Sequence, residues 1–211
     1  MGGIFERVDP SFLALAFTFS MSLGKHDQRR AMVVAESNAI GDFYTCASLL
    51  PSPVRSRLQG VIREYAQRKL DVAIHLTSES ELEEALRWFQ DTHTRMTAIV
   101  AEALAAGTPI AVPLTQTLNG VTSAHASRLA AFRDRLPWSI SLLLFLSAVV
   151  PSFLMGLQQA RFARPHLTGT VSFIFMATLV IYVTLDLNQP GRGTITVSQE
   201  PFERLLQSMG K

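Results

Sequence analysis

Histidine, cysteine and clustered glutamates are the residues of this sequence that could carry chemistry, and none of them has a catalytic spacing. The five histidines are scattered, and none stands in the H-E-x-x-H spacing that places two zinc ligands on one helix face. The lone Cys46 excludes an internal disulfide and any site built from several cysteines. The glutamates from Glu79 to Glu84 are typical of a solvated first turn of a helix. The sequence therefore predicts no catalytic residue, no metal and no cofactor.

The larger motifs of enzymes and the charge balance point the same way. The sequence has no P-loop, no G-x-G-x-x-G fingerprint and no G-x-S-x-G elbow, which favours a role other than catalysis. Its 19 basic and 17 acidic residues give a net charge of only +2, so nucleic acid is not an expected partner. Charged residues make up 17% of the chain, against about 25% in soluble domains. This composition is typical of a membrane protein.

Two long uncharged runs predict membrane-spanning helices. They extend from Leu136 to Ala160 and from Leu167 to Leu185, and a helix needs roughly 20 mostly apolar residues to cross the hydrocarbon of a bilayer. Trp138 begins the first run and Tyr182 lies near the end of the second, where interfacial aromatic residues are common. We therefore expect a transmembrane hairpin at residues 137–187, with the lipid bilayer as its surroundings.

A third uncharged stretch, from Pro10 to Gly24, is shorter than a full span. It is preceded by Glu6 and Asp9 against a single Arg7, whereas a signal peptide begins with a basic region. We predict a short or partial membrane helix within an N-terminal segment, residues 1–24.

Basic residues beside the apolar segments predict the orientation, because they are enriched on the cytoplasmic side. If three segments cross, one side carries Lys25, Arg29, Arg30, Arg128, Arg133, Arg135 and Arg192, and the other carries Arg7, Arg161 and Arg164. The larger group predicts that residues 25–136 are cytoplasmic in a multi-pass protein of the cell membrane.

Residues 25–136 have helical rather than strand periodicity. The prolines of L-P-S-P-V predict that one helix ends and another begins between Leu50 and Val54. A capping box at the next helix is formed by either Ser78 with Glu81 or Ser80 with Glu83. On the last helix His125 lies near the apolar face, which favours a hydrogen-bonded structural histidine over a ligand.

The predicted fold is thus an all-α membrane protein with two or three transmembrane helices and a cytoplasmic helical bundle at residues 25–136. The cytoplasmic tail, residues 188–211, differs from the rest. Its T-I-T-V-S sequence alternates like a short strand, and E-P-F-E-R-L-L-Q-S-M predicts a last amphipathic helix.

Two motifs give the sequence a family resemblance. The first is E-x-N-A-I-G, and the second is D-L-x-x-P-x-x-G after the last apolar run. Their residues are Glu36, Asn38, Ala39, Ile40 and Gly41, and Asp186, Leu187, Pro190 and Gly193. With L-L-P-S-P-V-R-S-R-L and L-N-G-V-T-S-A-H between them, they make residues 11–207 resemble the bacterial bestrophin-like family, whose activity is unassigned.

This resemblance implies a distant relation to bestrophins, which are pentameric anion channels with a mostly helical cytoplasmic region. It therefore implies a homo-oligomer, such as a pentamer, that conducts inorganic anions. Bestrophins have a hydrophobic neck lined by large apolar residues at i, i+4 and i+8 of a pore helix, and this chain has Leu13, Phe17 and Met21 at that spacing. A ring of such side chains can gate by dewetting, although lipid-facing or packing residues show the same series.

The motif residues have two interpretations. We interpret Glu36, Asn38 and Gly41 as a structural network between helices, and an ion site is the alternative. Asp186 is expected to bond the backbone of the turn that contains Pro190 and Gly193, or to pair with Arg192. For the whole protein, a membrane-anchored helical sensor or scaffold without transport activity is the alternative to a channel, and topology mapping discriminates between them.

Overall fold

A computed structural model describes residues 10–75, 78–134, 136–159, 167–188 and 193–210. Within these ranges the regular structure is helical. The helices are α1 (Pro10–Ser48), α2 (Val54–His75), α3 (Glu79–Ala105), α4 (Ala111–Arg133), α5 (Trp138–Gln159), α6 (Leu167–Leu187) and α7 (Glu200–Met209). The predicted all-α fold class is confirmed for this part of the chain.

The helix boundaries follow from local sequence signals. α1 is one continuous helix that ends at Ser48, and Pro51 and Pro53 separate it from α2. Of the two capping boxes considered, Ser78 and Glu81 form the one that begins α3, where each side chain bonds the other residue's backbone N–H. Gly107 ends the turn after α3 with a φ of 76°, which glycine adopts without steric cost.

The prediction of a strand at T-I-T-V-S is wrong. Residues 193–199 have no regular structure. The backbone N–H groups of Thr194 and Ile195 donate to the Asp186 carboxylate, each at 2.8 Å, rather than to a neighbouring strand. A short alternating segment forms a strand only where a second strand accepts its hydrogen bonds. The amphipathic helix predicted after it is present as α7.

The described chain divides into two compact units. The bundle unit consists of Arg29–Arg133 with the residues from Val197 onward, and therefore contains most of α1, all of α2 to α4, and α7. It has an apolar core to which every one of these helices contributes; its fully buried members include Ile40, Phe43, Leu58, Ile62, Tyr65, Met96, Leu114 and Phe202. Their burial at helical spacing gives the bundle its own hydrophobic stabilisation.

The apolar unit consists of the residues up to Gln28 and Asp134–Thr196. In α5 the buried positions are Leu144, Ala148 and Pro151, and in α6 they include Phe173 and Ala177. The helices thus bury narrow stripes that contain small residues, as membrane helix pairs do. At their ends, Asn188 Oδ1 accepts a hydrogen bond from the Leu136 backbone N–H at 2.7 Å.

Two stretches of the described chain are long and apolar enough to cross a membrane, one within Ala111–Leu157 and one at Thr170–Leu187. Only 11% and 22% of the residues in their most apolar windows are buried, whereas a core helix of a soluble protein is mostly buried. The exposed side chains of α5 and α6 are large and apolar, among them Leu143, Phe145, Phe153, Val171 and Phe175. The unit therefore presents an apolar surface of the kind that lipid covers.

Candidate functional site: a buried charge cluster and an exposed apolar helix face

Glu36 is completely buried in the bundle unit, at 0% exposure. It lies on the same face of α1 as Val33, Ile40 and Phe43, because residues three and four apart share a helix face. A carboxylate among apolar side chains is strongly destabilising unless it is paired and hydrogen-bonded. The partners of Glu36 therefore decide whether this core is stable.

Two cations from other helices pair with the Glu36 carboxylate. Lys69 Nζ of α2 lies 2.7 Å from Oε1, and Arg128 Nη1 of α4 lies 2.7 Å from Oε2. His125 Nδ1, one turn before Arg128, lies 3.4 Å from Oε1. One carboxylate thus joins α1, α2 and α4, with a separate cation at each oxygen.

The Lys69 ammonium group is nearly as buried as the carboxylate, with 7% of its side chain exposed. Besides Glu36, it contacts His125 Nδ1 at 2.5 Å. It also lies over the Phe89 ring, 4.3 Å from the ring centroid, in a cation–π contact. The neighbours of this ammonium group are therefore a carboxylate, an imidazole and an aromatic ring.

Arg128 extends the cluster to α7. Its Nη2 donates to Gln199 Oε1 at 3.1 Å, and its guanidinium lies 5.1 Å from the Phe202 ring centroid. Beside Glu36, Ser37 Oγ donates to the Pro201 carbonyl at 2.9 Å. The start of α7 is therefore held against both α1 and α4.

A second histidine continues the cluster into α3. His93 Nε2 lies 3.2 Å from the Tyr65 hydroxyl, and the His93 and His125 ring centroids are 5.6 Å apart. The cluster now contains a carboxylate, a phenol, an ammonium, a guanidinium and two imidazoles. We call these six residues, Glu36, Tyr65, Lys69, His93, His125 and Arg128, the charge cluster.

Burial and neighbouring charge oppose each other in this cluster. Burial raises the pKa of Glu36, but the hydrogen bond to His125 and the charges of Lys69 and Arg128 outweigh it and hold that pKa well below its usual range. Burial lowers the pKa of Lys69 to about 8, against the opposite effect of Glu36. Burial, with His125 and Lys69 as positive neighbours, lowers the pKa of His93 to about 4. At neutral pH the cluster therefore holds a carboxylate, two cations and an uncharged His93.

The chemistry of this arrangement is ion pairing. Among the residues that the structure describes, no three histidine, cysteine or acidic side chains stand close enough together to hold a metal ion. The cluster draws its residues from four helices of one unit, α1 to α4, and contacts a fifth, α7, through Arg128. It can fix the packing of the bundle.

The structure separates Asn38 and Gly41 of the E-x-N-A-I-G motif from this cluster. The Asn38 side chain is exposed, because two residues along a helix rotate the side chain to nearly the opposite side. Gly41 lies against α7, where an added Cβ would be 3.2 Å from Leu205 Cδ1. Its lack of a side chain permits this close approach.

Asp186 and Gly193 are brought together in the apolar unit. Asp186 accepts the backbone N–H groups of Thr194 and Ile195. A Cβ on Gly193 would lie 2.9 Å from both the carbonyl oxygen and Oδ1 of Asp186, so only glycine fits there. Pro190 and Arg192, also named for this turn, lie outside the described residues.

Leu13, Phe17 and Met21 follow one side of the first part of α1. Leu13 is 60% exposed and Phe17 is 67% exposed, whereas Met21 is half-buried. The buried side of the same segment carries Leu15, Thr18 and Ser22, which a rotation of 100° per residue places opposite Leu13 and Phe17. Within this unit the helix is therefore packed on one side and presents apolar side chains on the other.

Sequence reasoning missed Tyr65, Lys69, His93 and Arg128 as members of the site. The signal was present on α2, where Leu58, Ile62 and Tyr65 form an apolar series that continues at helical spacing into Lys69. A charged residue within a buried face needs a partner of opposite charge. The identity of that partner depends on how the helices pack, which the spacing does not contain.

Comparisons with known proteins give one match. No curated protein and no solved structure is significantly similar to the chain. The family model of the Bestrophin-like domain matches residues 13–202, a range that includes the charge cluster, Phe17, Asp186 and Gly193. Because this range is most of the 211 residues, the chain belongs to the bestrophin-like family.

Proposed function

We propose that this membrane protein is an oligomeric ion channel in which α1 lines the pore. The observation that carries the proposal is the exposed side of α1 in the apolar unit, where the side chains of Leu13 and Phe17 are exposed. A pore helix in a ring needs this arrangement, with one side against its own subunit and the other toward the axis.

The spacing of Leu13, Phe17 and Met21 suits a hydrophobic neck. At 1.5 Å per residue the three levels cover about 12 Å of a helix. In a ring of subunits, each level would form a circle of apolar side chains that closes by dewetting and opens when it widens. These three residues are the proposed neck.

A single chain cannot enclose such a path, so the proposal requires copies of this chain. The lipid bilayer and neighbouring copies would cover the apolar surfaces of α5 and α6, and a pentamer is the ring that family membership suggests. The same membership suggests inorganic anions as the permeant ions. The excess of basic residues beside the apolar segments favours a cytoplasmic position for residues 25–136 in the cell membrane.

The alternative is a sensor or scaffold without transport activity. The observation in its favour is that the bundle unit has its own core and its own buried charge cluster. Such a unit can respond to a signal or hold a partner without any pore. An exposed side of α1 would then serve only for contacts with lipid or with other copies.

Flux through the purified protein discriminates between the two functions. The protein is reconstituted into liposomes, and chloride efflux is compared for the wild type, Phe17→Ala and Phe153→Ala. Phe153 is the matched control, since it is 65% exposed in the same unit but lies on α5. A channel with this neck gives flux that rises in Phe17→Ala and is unchanged in Phe153→Ala.

Equal chloride flux in the two variants would indicate that Phe17 faces lipid and would contradict the proposed neck. Cation flux is measured in parallel, because a channel that conducts cations would retain the pore and reject the proposed ion. The absence of flux from all three proteins would favour the sensor or scaffold.

A further inference from the structure

Two buried hydroxyl groups of the apolar unit have no hydrogen-bond partner among the described residues. They are Ser22 Oγ on α1 and Thr184 Oγ1 on α6, in residues that are 1% and 0% exposed. The serines of α5 differ, since Ser147 and Ser152 donate to carbonyls of their own helix at 2.8 and 2.7 Å. A buried hydroxyl without a partner is destabilising, so a ligand that accepts from both hydroxyls would be favoured here.

Two contacts show which ends of the helical segments of this unit lie together. Lys25 Nζ of α1 lies 2.5 Å from Asp134 Oδ2, shortly before α5 begins. Two residues later, the Leu136 backbone N–H donates to Asn188 Oδ1, directly after α6, at 2.7 Å. Lys25 and Asn188 therefore mark the same end of the unit.

The two unpartnered hydroxyls lie at a similar depth from that end. Ser22 precedes Lys25 by three residues and Thr184 precedes Asn188 by four, which is about 4.5 Å and about 6 Å along their helices. Both helices run toward this end, and the helical segments of the unit share one interior. The depth and burial of the two side chains therefore allow them to share one small ligand.

We propose that Ser22 and Thr184 bind a small inorganic anion, such as chloride, inside the apolar unit. A serine or threonine hydroxyl donates one hydrogen, and a hydrogen bond to a charged acceptor is stronger than one between neutral groups. The site is separate from the proposed neck, because Ser22 lies about 140° around α1 from Phe17. The inference therefore goes beyond the pore and does not depend on it.

The charged groups nearby favour an anion over a cation. Lys25 lies on the next turn of α1, about 60° around the helix from Ser22, and only 18% of its side chain is exposed. The side chain of its partner Asp134 is 53% exposed, so water screens the carboxylate more than the ammonium group. Asp186 follows Thr184 by two residues, which places it nearly opposite on α6, and its carboxylate accepts two backbone N–H groups.

The melting temperature of the purified full chain in detergent tests this site. Chloride is raised at constant sodium concentration, with gluconate holding the ionic strength constant. A ligand that binds only the folded state stabilises that state increasingly above its Kd. We therefore expect the melting temperature of the wild type to rise with chloride concentration.

Two variants that remove only a hydroxyl assign the effect to the site. They are Ser22→Ala and Thr184→Val, and the matched controls are Ser20→Ala and Thr178→Val, at exposed positions of the same helices. In either site variant, the chloride concentration at which the rise begins should increase about tenfold, as expected for one lost hydrogen bond to a charged group. The controls should respond as the wild type does. Each site variant is interpreted alone, so one of them suffices if the other does not fold.

Three results would overturn the proposal. One is a wild-type melting temperature that does not depend on chloride, since water alone would then satisfy the hydroxyls. Another is an equal chloride response in site variants and controls, since chloride would then bind elsewhere. The third is a response to sodium in place of chloride, measured by replacing sodium with N-methylglucamine, since the ligand would then be a cation. None of these results bears on ion flux, so failure here is separate from failure of the channel proposal.

Discussion

Glu36 on α1 and Arg128 on α4 are 92 positions apart in the chain, and their side chains are 2.7 Å apart inside the bundle unit. Lys69 occupies the second oxygen of the same carboxylate. Removing one partner of a buried pair leaves an uncompensated charge, which is far more destabilising than the intact pair is stabilising. The ion pairing inside the bundle unit therefore depends on the negative charge of Glu36.

Glu36→Gln should destabilise the bundle by about 3–5 kcal/mol, because it leaves the buried Lys69 and the half-buried Arg128 without a carboxylate. Chemical unfolding of the purified protein, followed by the fluorescence of Trp88 in a Trp138→Phe background, measures the change. Glu84→Gln is the control, since Glu84 is an exposed residue of α3. An equal and small effect of both substitutions would contradict the assignment of Glu36.

The lowered pKa of His93 predicts how stability depends on pH. Its pKa is about 4 in the folded protein against an ordinary 6.5, so between these values the unfolded chain binds more protons than the folded one. Stability should therefore fall as the pH decreases from about 6.5 to 4, and level off below that. The free energy of unfolding, measured across this range, gives the slope.

His93→Gln should flatten this dependence. Glutamine can still accept a hydrogen bond from the Tyr65 hydroxyl, and it does not titrate. The test is the difference in slope between the variant and the wild type, rather than the stability at a single pH. An unchanged slope would mean that other groups determine the acid sensitivity of the bundle.

Gly193→Ala should disrupt the turn after α6. The new Cβ would stand 2.9 Å from two oxygen atoms of Asp186, which is closer than Cβ atoms come to oxygen. Relief of this clash would weaken the bonds from Thr194 and Ile195 to that carboxylate. Faster trypsin cleavage after Arg192 is the expected result.

Gly60→Ala is the matched control for that experiment. Gly60 lies within α2, and an added Cβ there has nothing within 4 Å. Alanine should therefore raise helix stability by about 0.5–1 kcal/mol. If Gly193→Ala were as well tolerated as Gly60→Ala, the close approach of Gly193 to Asp186 would not contribute to the stability of the turn.

Asp27 predicts a charge effect on conduction. It is exposed on α1, at the end of the part that belongs to the apolar unit. At about 100° per residue, Asp27 lies about 40° around the helix from Leu13, on the side of the proposed neck. A carboxylate near the path of an anion repels it. Asp27→Asn should raise chloride flux several-fold, whereas Asp91→Asn, exposed on α3, should not.

Chloride flux in Asp27→Asn that is equal to or lower than that of the wild type would argue against α1 as the lining of the ion path. The comparison is made at low ionic strength, where an exposed charge acts over about 30 Å rather than about 8 Å at physiological salt. Loss of the difference at high salt is expected from the same reasoning.

Local signals in the sequence were sufficient for much of the fold. Pro51 and Pro53 marked the end of α1 and the start of α2, and Ser78 with Glu81 marked the start of α3. These features act over a few residues, so spacing alone determines them. The apolar runs of α5 and α6 were equally clear, because membrane helices characteristically combine that length with so little charge.

Long-range contacts could not be predicted in this way. Ser37 bonds the carbonyl of Pro201, 164 positions away, and nothing in the tail's sequence indicated that α7 packs in the bundle. The motif that contains Glu36 also suggested Asn38 as a partner, but adjacency in a motif does not place two residues on one helix face. The strand predicted at T-I-T-V-S is absent for a related reason, because backbone N–H groups of this segment donate to Asp186 and not to a second strand.

The symmetry of the purified protein is the most direct test of the central claim, that copies of this chain form a pore lined by α1. Single-particle imaging in nanodiscs should reveal a closed ring, with Leu13 and Phe17 of each subunit facing the axis. A monomer or a two-fold dimer would contradict it, because neither gives the exposed side of α1 a shared path to enclose.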